Sequence, residues 1–159
     1  MDGLLVSSDM KINYNLTDFF NTYEIHNCQI RKEEGLKLWQ ESFCGNITAE
    51  MKACVPNYND GFLWHIFSFG LVQAMEGESA ERIFDEQNKD RLILFFEHSN
   101  DAYYLENAEK LTSDALNSLE WYGGFSYADV YVIHPADRWA YVRTHEKTLG
   151  PYYLDQRKK

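Results

Sequence analysis

Hydrophobic residues in this chain fall into short runs separated by turn formers. The stretch RLILFFEH, residues 91–98, is a nearly unbroken apolar run of strand length. Such a run fits a strand buried on both faces. Ser99-Asn100-Asp101 supplies turn chemistry, and AYYL (102–105) returns as a short antiparallel strand. DVYVIH (129–134) and RWAYVRTH (138–145) flank the turn Pro135-Ala136-Asp137, which is a hairpin pattern. FLWHIFSF (62–69), set between Asp60-Gly61 and Gly70, is the densest apolar run. It predicts a buried strand, with a helix as the alternative for so short a segment. EIHNCQI (24–30) alternates and predicts a short edge strand.

Helical spacing shows elsewhere. In RKEEGLKLWQESF (31–43), Leu36, Trp39 and Phe43 share one face, with Lys and Glu on the other. Cys44-Gly45-Asn46 ends that helix, and Thr48 caps a second short one over 49–55 that Pro56 stops. LTDFFNTY (16–23) predicts a short helix. Ser79 begins another, with Ala80, Ile83, Phe84 and Gln87 along one side. Thr112 or Ser113 caps a helix that turns Leu116 and Leu119 inward before Gly123-Gly124.

These elements run helices first and then β-α-β-β-α-β-β. They predict an α+β fold: a mixed, mostly antiparallel sheet of about five strands packed with helices. One domain over residues 1–159 accounts for the length, with 1–15 as a loose N-terminal arm. EKTLGPYYLDQRKK (146–159) reads as an irregular strap held by Tyr152 and Tyr153.

Composition narrows the function classes. Aromatic residues make up 16% of the chain, which predicts a ring-rich core including Trp39, Trp64, Phe95 and Trp139. The net charge of −10 opposes nucleic acid, whose recognition calls for a basic stripe. It suits a basic protein partner instead. The longest apolar run is far too short to span a bilayer, so no membrane is expected. Cys28, Cys44 and Cys54 are odd in number and lack a C-x-x-C spacing, so they read as three reduced thiols in a cytoplasmic protein.

No G-x-S-x-G, phosphate-cradling glycine loop or H-E-x-x-H occurs. The sequence therefore names no catalytic residue, cofactor or metal. His65, crowded by apolar neighbours, reads as a neutral core histidine with a hydrogen-bonded ring. The polar residues with a claim to a site are His98, Asp101, Glu106, His145 and Glu146, which fall at strand ends. Brought together they make an imidazole–carboxylate cluster able to bind a divalent metal or shuttle protons. The plainer reading of Ser99-Asn100-Asp101 is a tight turn.

Four stretches in order carry a resemblance: DGFLWHIFSFG (60–70), ESAERIFDEQ (78–87), LFFEHSNDAYYLENAE (94–109) and WAYVRTHEKTLGPYY (139–153). Together they resemble a family of small bacterial proteins called domain of unknown function 4275, over roughly residues 30–153. The resemblance implies a single-domain bacterial cytoplasmic protein. It carries no assigned reaction, and so no active site. It marks His98, Glu106, Asn107, His145 and Glu146 as motif positions.

The reading that follows is a non-enzymatic binding or inhibitory module, immunity-like, acting on a basic protein partner. The alternative is a small enzyme or ligand- or metal-binding protein that uses the strand-end cluster. Neither reading fixes an oligomeric state.

Overall fold

A strand with apolar residues on both sides needs a covering layer on each. β3 (Arg91–Phe96) shows the pattern: Leu92, Leu94 and Phe96 enter one core, while Ile93 and Phe95 enter the other. The structure is a computed structural model that describes residues 16–44, 48–53, 67, 72–97, 99–121, 129–146 and 148–156. The other strands are β1 (His26–Gln29), β2 (Met75–Glu76), β4 (Ala102–Glu106), β5 (Val130–His134), β6 (Trp139–Arg143) and β7 (Tyr152–Asp155). The helices are α1 (Leu16–Thr22), α2 (Lys32–Phe43), α3 (Ala49–Ala53), α4 (Glu78–Glu86) and α5 (Ser113–Asn117), the last running into a 3-10 turn.

The strands form one sheet in the order β1-β4-β3-β5-β6-β7-β2, and every pairing among the described residues is antiparallel. The α+β class is as expected, but the described residues hold seven strands where about five were expected. Two of them left little pattern. β2 is only two residues long. β7 lies in the tail read as an irregular strap. Tyr152 and Leu154 enter one core and Tyr153 the other, while the backbone pairs with β6. That pairing satisfies main-chain groups that a bare β6 edge would leave unmet.

The densest apolar run lies almost wholly outside the described residues. Its described member, Phe67, is helical and buried, which favours the helix alternative over the strand at that position. Residues 1–15, Cys54, Trp64, His65, His98 and the basic end 157–159 also lie outside the described residues. Neither Cys28 nor Cys44 is in a disulfide.

On one face, α1, α4 and α5 cover Leu92, Leu94, Val130, Val132, Trp139 and Tyr141. α4 repeats its apolar residues at helical spacing, so Ala80 and Phe84 are buried while Glu78 and Glu86 stay in solvent. The Phe84 ring stacks on Tyr141 with centroids 4.1 Å apart. Asp85 ties α4 to α5, because its carboxylate accepts from Ser113 N (2.7 Å) and Ser113 Oγ (2.9 Å). On the other face, α2 lays Trp39 and Phe43 over Phe95, Tyr131 and Val142. Trp39 meets Tyr131 edge-on, and Phe95 stacks on Tyr131 at 4.8 Å. Trp39, Phe95 and Trp139 are fully buried, as their patterns predict.

Candidate functional site

The β3–β4 turn, the start of β5 and the end of β6 meet at one end of the sheet. This follows from the register that pairs Phe96 with Val130 and Val130 with Arg143. Polar side chains gather there. Asp129 stands just before β5 and is fully buried. Its Oδ1 accepts from His145 N at 2.6 Å and lies 2.8 Å from His145 Nδ1. A carboxylate only accepts, so Nδ1 carries a proton and the ring is held in one orientation. Glu146 places Oε1 3.7 Å from His145 Nε2. The single Thr144 hydroxyl proton is donated to Leu149 O (2.5 Å), and Glu146 O stands 3.0 Å from the same Oγ1.

Around the corner, Tyr131 Oη donates to the Glu97 carboxylate. Lys32, the first residue of α2, donates from Nζ to Glu97 O (2.6 Å) and Ser99 O (2.8 Å). Burial lowers the Lys32 pKa, and the nearby Glu97 and Asp101 carboxylates act against that shift.

Asp101 is at this same end, and its side-chain hydrogen bonds run within its own hairpin. It accepts from Ser99 Oγ at 2.8 Å, and its main-chain N–H donates back to Ser99 Oγ at 3.1 Å. Tyr103 Oη donates to it at 3.5 Å. That is the turn chemistry its neighbours suggest.

Glu106 does not join the group. It closes the far end of β4, opposite Arg91 and His26, about 13 Å along the strand from Ala102 at ordinary rise. Five residues of extended chain cannot fold back on themselves. Of the expected cluster, the structure brings Asp101, His145 and Glu146 to one end, and sends Glu106 to the other. His98 is outside the described residues.

Asp129 was missed in the sequence because it read as the first residue of a strand. The usable signal was a carboxylate directly before the apolar run Val130–Ile133, a place that burial makes costly without partners. His134 sits at the opposite end of the β5–β6 hairpin from His145, facing Trp139 in register. Asp137 N donates to its Nδ1 (3.0 Å), and Nε2 donates to Asp90 (2.9 Å). Both ring nitrogens are used, which makes His134 a structural core histidine. No group of three or more His, Cys, Asp and Glu side chains among the described residues is arranged to hold a metal ion.

A second feature is apolar. A groove of about 820 Å³ opens between α4 and the β2–β7 edge. Phe67, Val72, Met75, Ile83 and Leu154 form its walls. Glu76, Glu86 and Asp155 line it as well, and no Lys or Arg does among the described residues. Met75 is 44% exposed, unusual for so large an apolar side chain in this protein. Tyr152 also lines the groove, and burial, with Glu76 nearby, pushes its phenol up to about 12. It is therefore a neutral donor at physiological pH.

The family model described as Domain of unknown function (DUF4275) matches residues 10–153. The chain belongs to that family. The DUF4275 match takes in Asp129, His145 and Glu146, and most of the groove, ending two residues before Asp155. Membership in DUF4275 assigns no reaction, since the family is described as one of unknown function. Comparison with curated proteins and with solved structures finds no match for this DUF4275 chain. No helix among its described residues is long and apolar enough to cross a membrane.

Proposed function

We propose that this protein is a non-enzymatic binding module that holds a basic segment of a protein partner in the groove between α4 and the β2–β7 edge. The observation that carries this reading is the pairing of apolar walls with an acidic lining: Val72, Met75 and Ile83 beside Glu76, Glu86 and Asp155. A segment that alternates aliphatic residues with Lys or Arg matches both. The aliphatic groups take the apolar area out of water. The cations meet carboxylates, and the net charge of −10 steers them in from a distance. If the partner is a basic enzyme, occupation of its surface by this module is inhibition, the immunity-like form of the same reading.

The test uses an array of synthetic peptides in which aliphatic positions alternate with Lys, Gln or Glu. The purified full chain should retain the Lys series, lose it as salt rises, and leave the Glu series unbound. Glu86→Lys and Met75→Lys change exposed positions of the lining. Each should abolish retention while leaving the melting temperature within about 2 °C of the parent, since exposed substitutions shift stability little. If the parent retains none of the series, or both variants retain the Lys peptides as the parent does, the groove is not the docking site.

A further inference from the structure

We propose that β1 is a self-association edge: it pairs antiparallel with β1 of a second copy of this chain, across a two-fold axis at Cys28. β1 ends the sheet, with β4 on one side and no strand on the other among the described residues. Its register, with the bond from Ile30 N to Ala102 O at 3.0 Å, fixes which way its main chain faces. In an antiparallel ladder, residues bonded to the neighbour alternate with residues whose groups point away from it. His26, Cys28 and Ile30 therefore turn N–H and C=O toward β4, while Asn27 and Gln29 turn theirs outward. Among the described residues, the contact those outward groups make is a weak one, from Cys28 Sγ to Gln29 O at 3.7 Å.

This edge is not blunted. Exposed edges are commonly guarded by Lys, Pro, a bulge or extreme shortness. The opposite edge, β2, is only two residues long. β1 pairs with β4 over all four of its residues without a bulge, and holds no Lys, Arg, Pro, Asp or Glu. All four of its side chains are exposed, so neither face of the strand is covered.

Charge and symmetry select the occupant. The net charge of −10 sets most of the surface against a second copy. β1 carries no carboxylate, and opposite charges flank it, Glu24 before and Arg31-Lys32 after. Antiparallel pairing turns Glu24 of each copy toward Arg31-Lys32 of the other, whereas parallel pairing would set like on like. Glu24 and Arg31 are both exposed, and Glu24 also meets Lys110 of its own chain. The same patch meeting itself across a dyad makes a closed dimer. One antiparallel register uses both outward residues of both strands: Asn27 opposite Gln29 of the second copy. It sets Cys28 opposite Cys28 in a non-hydrogen-bonded pair, with Cα atoms about 4.5 Å apart. A disulfide spans about 4.4–6.8 Å between Cα atoms, so Cys28 reports this register.

The experiment sediments the reduced full chain from micromolar to millimolar concentration, in physiological salt that screens the long-range repulsion. A monomer–dimer equilibrium is expected. Asn27→Pro removes an outward N–H and spares the bonds to β4. Cys28→Lys sets two ammonium groups face to face at the axis. Each should abolish the dimer, with circular dichroism and the melting temperature showing that the variant still folds. Added diamide should join the parent's two Cys28 thiols, which lose two electrons and two protons to it as it is reduced to its hydrazine. That reductant-sensitive dimer should be absent from Cys28→Ser and from Asn27→Pro. A chain that stays monomeric at millimolar concentration overturns the proposal and leaves the edge to a strand of another protein. A dimer that either folded variant retains overturns it as well. The groove lies at the opposite edge of the sheet, so the peptide experiment is independent of these outcomes.

Discussion

Replacing Gly35 by Ala sets helix propensity against packing. Gly35 is a buried residue of α2. In an exposed helix, Ala would gain about 1 kcal/mol over Gly. Here a Cβ would stand 2.7 Å from Phe95 Cδ2 and 3.2 Å from Cε2. Carbon atoms rest at about 3.5–4.0 Å, so helix or ring must shift by roughly 1 Å. The ring has nowhere to go. Phe95 is fully buried, stacked within 1° of parallel on Tyr131, which in turn meets the edge of Trp39. Lifting α2 instead would loosen Trp39 and Phe43. Overpacking of this kind costs about 1–3 kcal/mol. Taking about 2 against the gain of about 1 leaves a net loss of about 1 kcal/mol. For a chain of this size that lowers Tm by about 2–4 °C. The assay is thermal and urea unfolding in two backgrounds. With Phe95→Leu the ring is gone, and Gly35→Ala should then stabilise, giving a coupling of about 2 kcal/mol across the cycle. A higher Tm for Gly35→Ala alone, or equal effects in both backgrounds, would refute the reasoning.

Two further outcomes concern the ties between elements. Asp85→Ala leaves Ser113 N–H and Oγ without their acceptor and should cost about 1–3 kcal/mol in urea unfolding, with Asp85→Asn in between; an Ala variant as stable as the parent would show that α4 and α5 dock without this link. The hydrogen bond from His134 is the main cause that holds the Asp90 carboxyl below the usual Asp range. The folded protein then takes up that proton less readily than the unfolded chain. The resulting stability is present above the unfolded Asp value of about 3.9 and drains as pH falls below it. Tm should therefore fall less steeply with acid in Asp90→Asn than in the parent, and equal slopes would contradict the assignment.

Much of the scaffold is written in local patterns. β3, β5 and β6 announce themselves as apolar runs because both sides of a central strand are covered, and burial on two faces removes the usual alternation. The face of α2 that carries Trp39 and Phe43 follows from helical spacing alone. β7 was harder. Tyr152–Asp155 is one short apolar word after Gly150-Pro151, and it is a strand because β6 offers an edge, a fact that lies elsewhere in the chain. β2 has only the two residues that β7 pairs with.

The same division runs through the candidate site. His145 and Glu146 are visible in the sequence as polar residues after an apolar run. Asp129 is sixteen residues away from His145, and nothing local says that its carboxylate turns inward to the ring. Glu106 looked equivalent to Asp101, yet β4 carries the two to opposite ends of the sheet. Composition and periodicity thus determined the α+β class, the ring-rich core and the acidic surface, since each depends on how a residue meets water or its near neighbours in sequence. Strand order, the Asp129–His145 contact and the groove beside α4 were decided only by tertiary structure. They arise where segments distant in sequence satisfy each other's hydrogen bonds and buried area, and a local pattern records that a surface is to be covered without recording by what.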